Sequence, residues 1–165
     1  MMEDLETLLN DCCEQLAVRK LTISFAESAT AGKLAYEFSK TAFSGQILKG
    51  GLVCYDACLK EDILGIEKEL IETFTPESEE ITREMALKLK KVIDTDVIVA
   101  VTGLTTEGGS ERPGKPVGTM FYCVYFKGEI HDRKKIFTGS PEEIVNLTIE
   151  QVARTILSVI NLNLH

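Results

Sequence analysis

The run Asp96-Val97-Ile98-Val99-Ala100-Val101-Thr102-Gly103 constrains the fold more than any other segment. An unbroken β-branched stretch without polar alternation suits a strand covered on both faces, as in parallel sheets held between helix layers. The flanking segments supply those layers. Leu5, Leu8, Leu9, Cys12 and Leu16 recur at helical steps, predicting a first helix over about residues 3–18. Ile81, Met85, Leu89 and Val92 share one face behind Thr75-Pro76, predicting another over about 77–93. Ile144, Leu147, Val152, Ile156 and Val159 define a last helix beginning near Ser140-Pro141.

Between these, Leu21-Thr22-Ile23-Ser24-Phe25-Ala26 reads as a strand, followed by a helix through Leu34, Ala35 and Phe38 that Ser28 or Thr30 can cap. Residues 50–55 read as a further strand leading into a polar stretch, 56–62. Residues 117–126 and 130–137 form two more strands around Lys127-Gly128-Glu129, a hairpin connection. After the first helix the order is therefore β-α-β-α-β-β-α. It predicts one α/β domain, a three-layer α/β/α sandwich with a mostly parallel mixed sheet and ligands beyond the carboxyl ends of its parallel strands. A chain of 165 residues suffices for such a core, since a domain of this size buries about 70% of the surface its unfolded form exposes.

Composition narrows the function. The net charge of −8, without a dense Lys/Arg run, disfavours nucleic acid. No apolar run approaches a membrane span, and the opening Met1-Met2-Glu3-Asp4-Leu5 is acidic where a signal peptide is basic, so the expectation is a cytoplasmic protein without a membrane partner. The five cysteines, Cys12, Cys13, Cys54, Cys58 and Cys123, are odd in number, lack metal-type spacing and read as buried small apolar residues, so neither a disulfide framework nor a zinc site is indicated. The first and last helices offer apolar faces to a homo-oligomer, although core packing accounts for the same residues equally well.

Three segments fall at the rim where a ligand belongs: 27–32, 55–60 and 102–115. Ser28 follows a strand and precedes a helix, where the N–H groups of Ala29 and Thr30 can stabilise an oxyanion; helix capping satisfies the same pattern. His131 in the hairpin and His165 at the far end do not suit a serine's base, whereas a desolvated Lys60 can lose its proton and accept one from serine. A solvated surface lysine is the plainer reading of Lys60, as a core residue is of Tyr55. Thr102, Gly103, Gly108 and Gly109 belong to a loop suited to backbone donation around a phosphate or carboxylate, with Lys115 or Arg112 as its cation; the glycines also serve simply to turn the chain.

Taken in order, Ala26-Glu27-Ser28-Ala29-Thr30-Ala31-Gly32, Gly50-Gly51, Tyr55 through Lys60, Thr102-Gly103 and Lys115-Pro116-Val117-Gly118-Thr119 resemble the CinA C-terminal domain family over about residues 5–160. Several members of that family deamidate nicotinamide mononucleotide to nicotinic acid mononucleotide and ammonia without a cofactor. The resemblance implies Ser28 as nucleophile, Lys60 as its base and Tyr55 as the tyrosine of the Tyr-x-x-x-x-Lys segment. It also implies Ala29, Thr30, Gly32, Thr102 and Gly103 around the substrate, beside the Gly108 and Gly109 that the loop itself offers. The partner is then a small-molecule pyridine nucleotide or another small amide.

The chain also departs from the family. Glu-Ser-Cys-Thr-Gly-Gly becomes Glu27-Ser28-Ala29-Thr30-Ala31-Gly32, which exchanges a glycine for the methyl of Ala31 where backbone is expected to approach a ligand. Thr-Gly-Ile-Ala-Gly-Pro becomes Thr102-Gly103-Leu104-Thr105-Thr106-Glu107. Gly-Asp-Arg and a following arginine become Gly139-Ser140-Pro141 and Val145, removing two cations. Two other functions accommodate these changes: a non-catalytic ligand-binding or interaction domain, and a Ser-Lys amidase for a different small amide.

Overall fold

A computed structural model describes residues 4–162, and five strands form its single mixed sheet in the order β2-β1-β3-β4-β5. Here β1 is Ile23–Glu27, β2 Leu48–Val53, β3 Val97–Gly103, β4 Thr119–Phe126 and β5 Glu129–Ile136. β1 pairs in parallel with β2 and β3, while β4 is antiparallel to both neighbours and alone runs against the other strands. The β4–β5 turn is tighter than expected, with Lys127 (φ 50°) and Gly128 (φ 83°) as its central pair. Two successive left-handed residues make the hairpin turn whose twist matches the strands.

Helices α1 (Leu5–Val18), α2 (Lys33–Ser39) and α7 (Pro141–Leu162) cover one face, and α6 (Glu79–Val92) covers the other. Alternation within β3 explains why its whole sequence is apolar. Val97, Val99 and Val101 enter the core shared with Leu8, Cys12, Phe38 and Val152, while Ile98 and Ala100 pack among Ile81, Met85 and Leu89. The three-layer α/β/α sandwich is thus present. The expected start of α1 at residue 3 lies outside the described residues.

Three short helices were not anticipated: α3 (Ser44–Ile47), α4 (Ala57–Asp62) and α5 (Lys68–Phe74). Each is too short to show a helical apolar period. α6 begins later than expected, with Ser78 rather than Thr75-Pro76 capping it through the Ile81 N–H at 3.2 Å. Ser28 and Thr30 do not cap α2. Its N-cap is Gly32 at φ 94°, and its free N–H groups are satisfied by Glu27, whose two carboxylate oxygens accept from Leu34 and Ala35 at 2.9 and 3.0 Å. All five cysteines are free thiols; Cys12, Cys13, Cys54 and Cys123 are buried as expected, but Cys58 on α4 is exposed. Among the described residues no helix is long and apolar enough to cross a membrane.

Candidate active site

Beyond the carboxyl ends of β1, β2 and β3 lies a cleft of about 320 Å³ to which all three rim segments contribute. Its position follows from the sheet. Glu27 is the last residue of β1 and points into the α2 layer, so Ser28 turns to the opposite side. The Ser28 N–H donates to the Val101 carbonyl at 3.1 Å, fixing the nucleophile candidate to the central strand. Two consecutive turns then lead to α2, closed by Ala31 N–H to Ser28 O (2.9 Å) and Lys33 N–H to Thr30 O (2.9 Å).

Lys60 reaches Ser28 from α4. Asp56 caps that helix by accepting from the Cys58 N–H at 2.9 Å, and one turn of helix carries Lys60 beneath the cleft. Its side chain is 1% exposed, and Nζ stands 3.1 Å from Ser28 Oγ and 3.0 Å from the Cys54 carbonyl. The Cys54 N–H in turn donates to Glu27 O at 2.7 Å, so β1, the end of β2 and α4 are locked around the pair. Burial lowers the Lys60 pKa from the ordinary lysine range, against smaller opposing contributions led by Glu77. A neutral amine hydrogen-bonded to a hydroxyl can take its proton when that hydroxyl attacks an electrophile.

The remaining candidates divide between the cleft and its supports. Ala29, Gly103, Gly108 and Gly109 line it, and Tyr55, 60% exposed, stands at its mouth. Thr102, Thr30 and Gly32 are not lining residues. Thr102 is fully buried against Thr82 of α6, with hydroxyls 2.8 Å apart, and Thr30 is buried with its hydroxyl unpartnered among the described residues. Gly103 also has a packing reason: a Cβ there would lie 2.8 Å from the Thr119 carbonyl oxygen. Ala31, whose methyl is expected to approach a ligand, is exposed and is not among the residues that line the cleft.

The loop wall contains residues that sequence reasoning missed. Glu77, half-buried, lines the cleft and accepts from Ser110 Oγ at 2.5 Å. Lys115, expected to offer a cation to ligand, is buried and points its three N–H donors at Thr75 Oγ1 (2.8 Å), Glu77 O (3.0 Å) and Ser110 Oγ (2.7 Å). The Gly108 N–H donates to Glu111 at 2.7 Å, so an internal carboxylate already occupies one of the loop's backbone donors. Arg112 lies in an adjacent groove with Lys134. Among the described residues no group of three or more His, Cys, Asp or Glu side chains is gathered to hold a metal ion.

Known proteins share this fold. The chain is 40% identical to a CinA-like protein of Petrotoga mobilis over 124 residues, covering 74% of this chain and 30% of the relative. It is likewise 40% identical to a CinA-like protein of Leptospira biflexa over 135 residues, covering 79% and 31%. The chain thus spans about a third of the length of these relatives. A solved CinA superfamily protein from Escherichia coli superposes with a TM-score of 0.89 at 26% identity, over 96% of this chain and 94% of that one. A competence/damage inducible protein from Agrobacterium tumefaciens gives 0.88 at 26%, over 96% of each. The family model for the CinA C-terminal domain matches residues 5–160, and the chain belongs to that family.

Proposed function

We propose that this chain is an amidohydrolase that deamidates nicotinamide mononucleotide through a Ser-Lys pair. The observation that carries this reading is the 3.1 Å contact between Lys60 Nζ and Ser28 Oγ, with the lysine buried and its pKa lowered. A buried lysine without a paired carboxylate is costly to fold. Its placement against a serine at the floor of a cleft suits proton transfer better than packing.

In this mechanism neutral Lys60 accepts the Ser28 proton as Oγ bonds to the carboxamide carbon. Carbonyl electrons move to oxygen, where backbone N–H groups of the turn after Ser28 stabilise them. Collapse breaks the C–N bond, and the Lys60 ammonium returns the proton to the leaving ammonia. Water then adds to the ester with Lys60 again as base, releasing the acid and restoring Ser28. Tyr55 at the mouth is positioned to contact the substrate rather than the buried amine.

The decisive measurement is ammonia release from nicotinamide mononucleotide by the wild-type protein, Ser28→Ala and Lys60→Ala, each shown to be folded. Release by the wild type and its loss in both variants is expected. No release by the wild type at high enzyme concentration would exclude this substrate and favour a non-catalytic binding domain or a different amide.

A further inference from the structure

The Ser28–Lys60 pair identifies the cleft, but the residues around it carry a separate message about charge. Asp56, Glu77 and Glu107 all line it, and among the described residues no lysine or arginine does. Each nearby cation is otherwise engaged or placed. Lys60 lies below the floor on Ser28 and Cys54, and the three donors of Lys115 are taken by Thr75, Glu77 and Ser110. Arg112 and Lys134 open into the adjacent groove, which Glu77 also borders. The two arginines expected of the family near residues 141 and 145 are Pro141 and Val145. A ligand seated over Ser28 therefore meets three carboxylates and no free cationic side chain of the cleft wall, in a protein of net charge −8.

Such a wall repels a phosphate dianion and attracts a cation. A pyridinium ring bearing the carboxamide brings a permanent positive charge to the same end of the molecule that Ser28 attacks. We propose that this cleft recognises its amide by the positive charge of an N-substituted pyridinium, so that the unphosphorylated riboside binds better than the phosphorylated nucleotide. The proposal rests on the amidohydrolase reading for its chemistry, while its charge preference is measurable without turnover. At a separation of about one Debye length, three carboxylates acting through water on a dianion change affinity by on the order of tenfold, and by more at low salt.

The test is calorimetric titration of folded Ser28→Ala protein with nicotinamide riboside, nicotinamide mononucleotide and uncharged nicotinamide, at low and high salt. Riboside binding about tenfold tighter than mononucleotide, tighter also than nicotinamide, with the difference shrinking as salt rises, is the expected result. Glu107→Gln in the same background should narrow the riboside-to-mononucleotide ratio by about twofold to fourfold. Mononucleotide binding as tightly as riboside or more tightly overturns the proposal, as does failure of riboside to bind. A mononucleotide preference abolished by Arg112→Gln would show instead that the adjacent groove takes the phosphate. Ammonia release by the wild type, measured with riboside and with mononucleotide, separates the two ideas. Riboside preference without release leaves charge recognition standing and the amidase reading overturned, whereas release with mononucleotide preference does the reverse.

Discussion

Lys60 gathers more opposing physics than any other residue. Burial penalises its ammonium, so the unfolded chain binds that proton more strongly than the folded one does. Stability therefore rises with pH between the lowered folded value and the ordinary lysine value. Activity should rise in the same direction, with a kcat/KM limb below the ordinary lysine range; a limb at the ordinary lysine value would count against Lys60 as base. Lys60→Met should abolish ammonia release while leaving the unfolding free energy unchanged or raised by about 1–2 kcal/mol, since it removes a buried amine whose protonation burial penalises. Urea denaturation beside the activity assay checks both. Glu27 is the opposite case, a buried carboxylate fully used by two N–H donors. Glu27→Gln turns an amide NH₂ toward one of them and should cost about 1.5–3 kcal/mol in the same denaturation experiment. The motif around Ser28 was legible because its residues are contiguous. The role of Glu27 was not, because its partners lie seven and eight residues on, at a helix start set by folding.

Among the elements, the segment from Leu104 to Gly118 decides the shape of the cleft. It is held at both ends: the Gly118 N–H donates to Leu104 O at 2.7 Å, and Lys115 fastens its middle to Thr75. Thr75 has φ 70° and ψ 152°, a region nearly restricted to glycine, so the contacts around it must hold strain of about 1–3 kcal/mol. Lys115→Met should release both, lowering kcat/KM by about tenfold or more through loss of wall geometry; steady-state kinetics and faster amide exchange in the loop would report it. Gly118, at φ 94°, would place a Cβ 1.9 Å from the Phe137 carbonyl oxygen. Gly118→Ala should therefore destabilise by about 2–4 kcal/mol, read from the denaturation midpoint. The sequence announced the long helices by their apolar period and β3 by its continuity. It concealed α4, six residues long, and with it the burial of Lys60, whose polar neighbours Glu61 and Asp62 made the segment look solvated.

At the scale of the molecule, two cores separated by the sheet must form together, because β1 and β3 contribute side chains to both. Phe38 packs edge-to-face on Phe25 at 4.9 Å between ring centroids, in the core remote from Lys60. Phe38→Ala should cost about 3–5 kcal/mol in unfolding free energy while activity per folded molecule changes little. Residue pattern alone determined the layer architecture: an all-apolar strand needs cover on both faces, and helices with apolar stripes supply it. Local motif placed Ser28, Tyr55 and Lys60 at one rim, since segments following parallel strands emerge together. Tertiary structure decided the rest. It buried Lys60 against Ser28, turned Lys115 inward and left three carboxylates around the opening. Desolvation and hydrogen-bond choice depend on which atoms converge from distant segments, a relation that no single stretch of the chain contains.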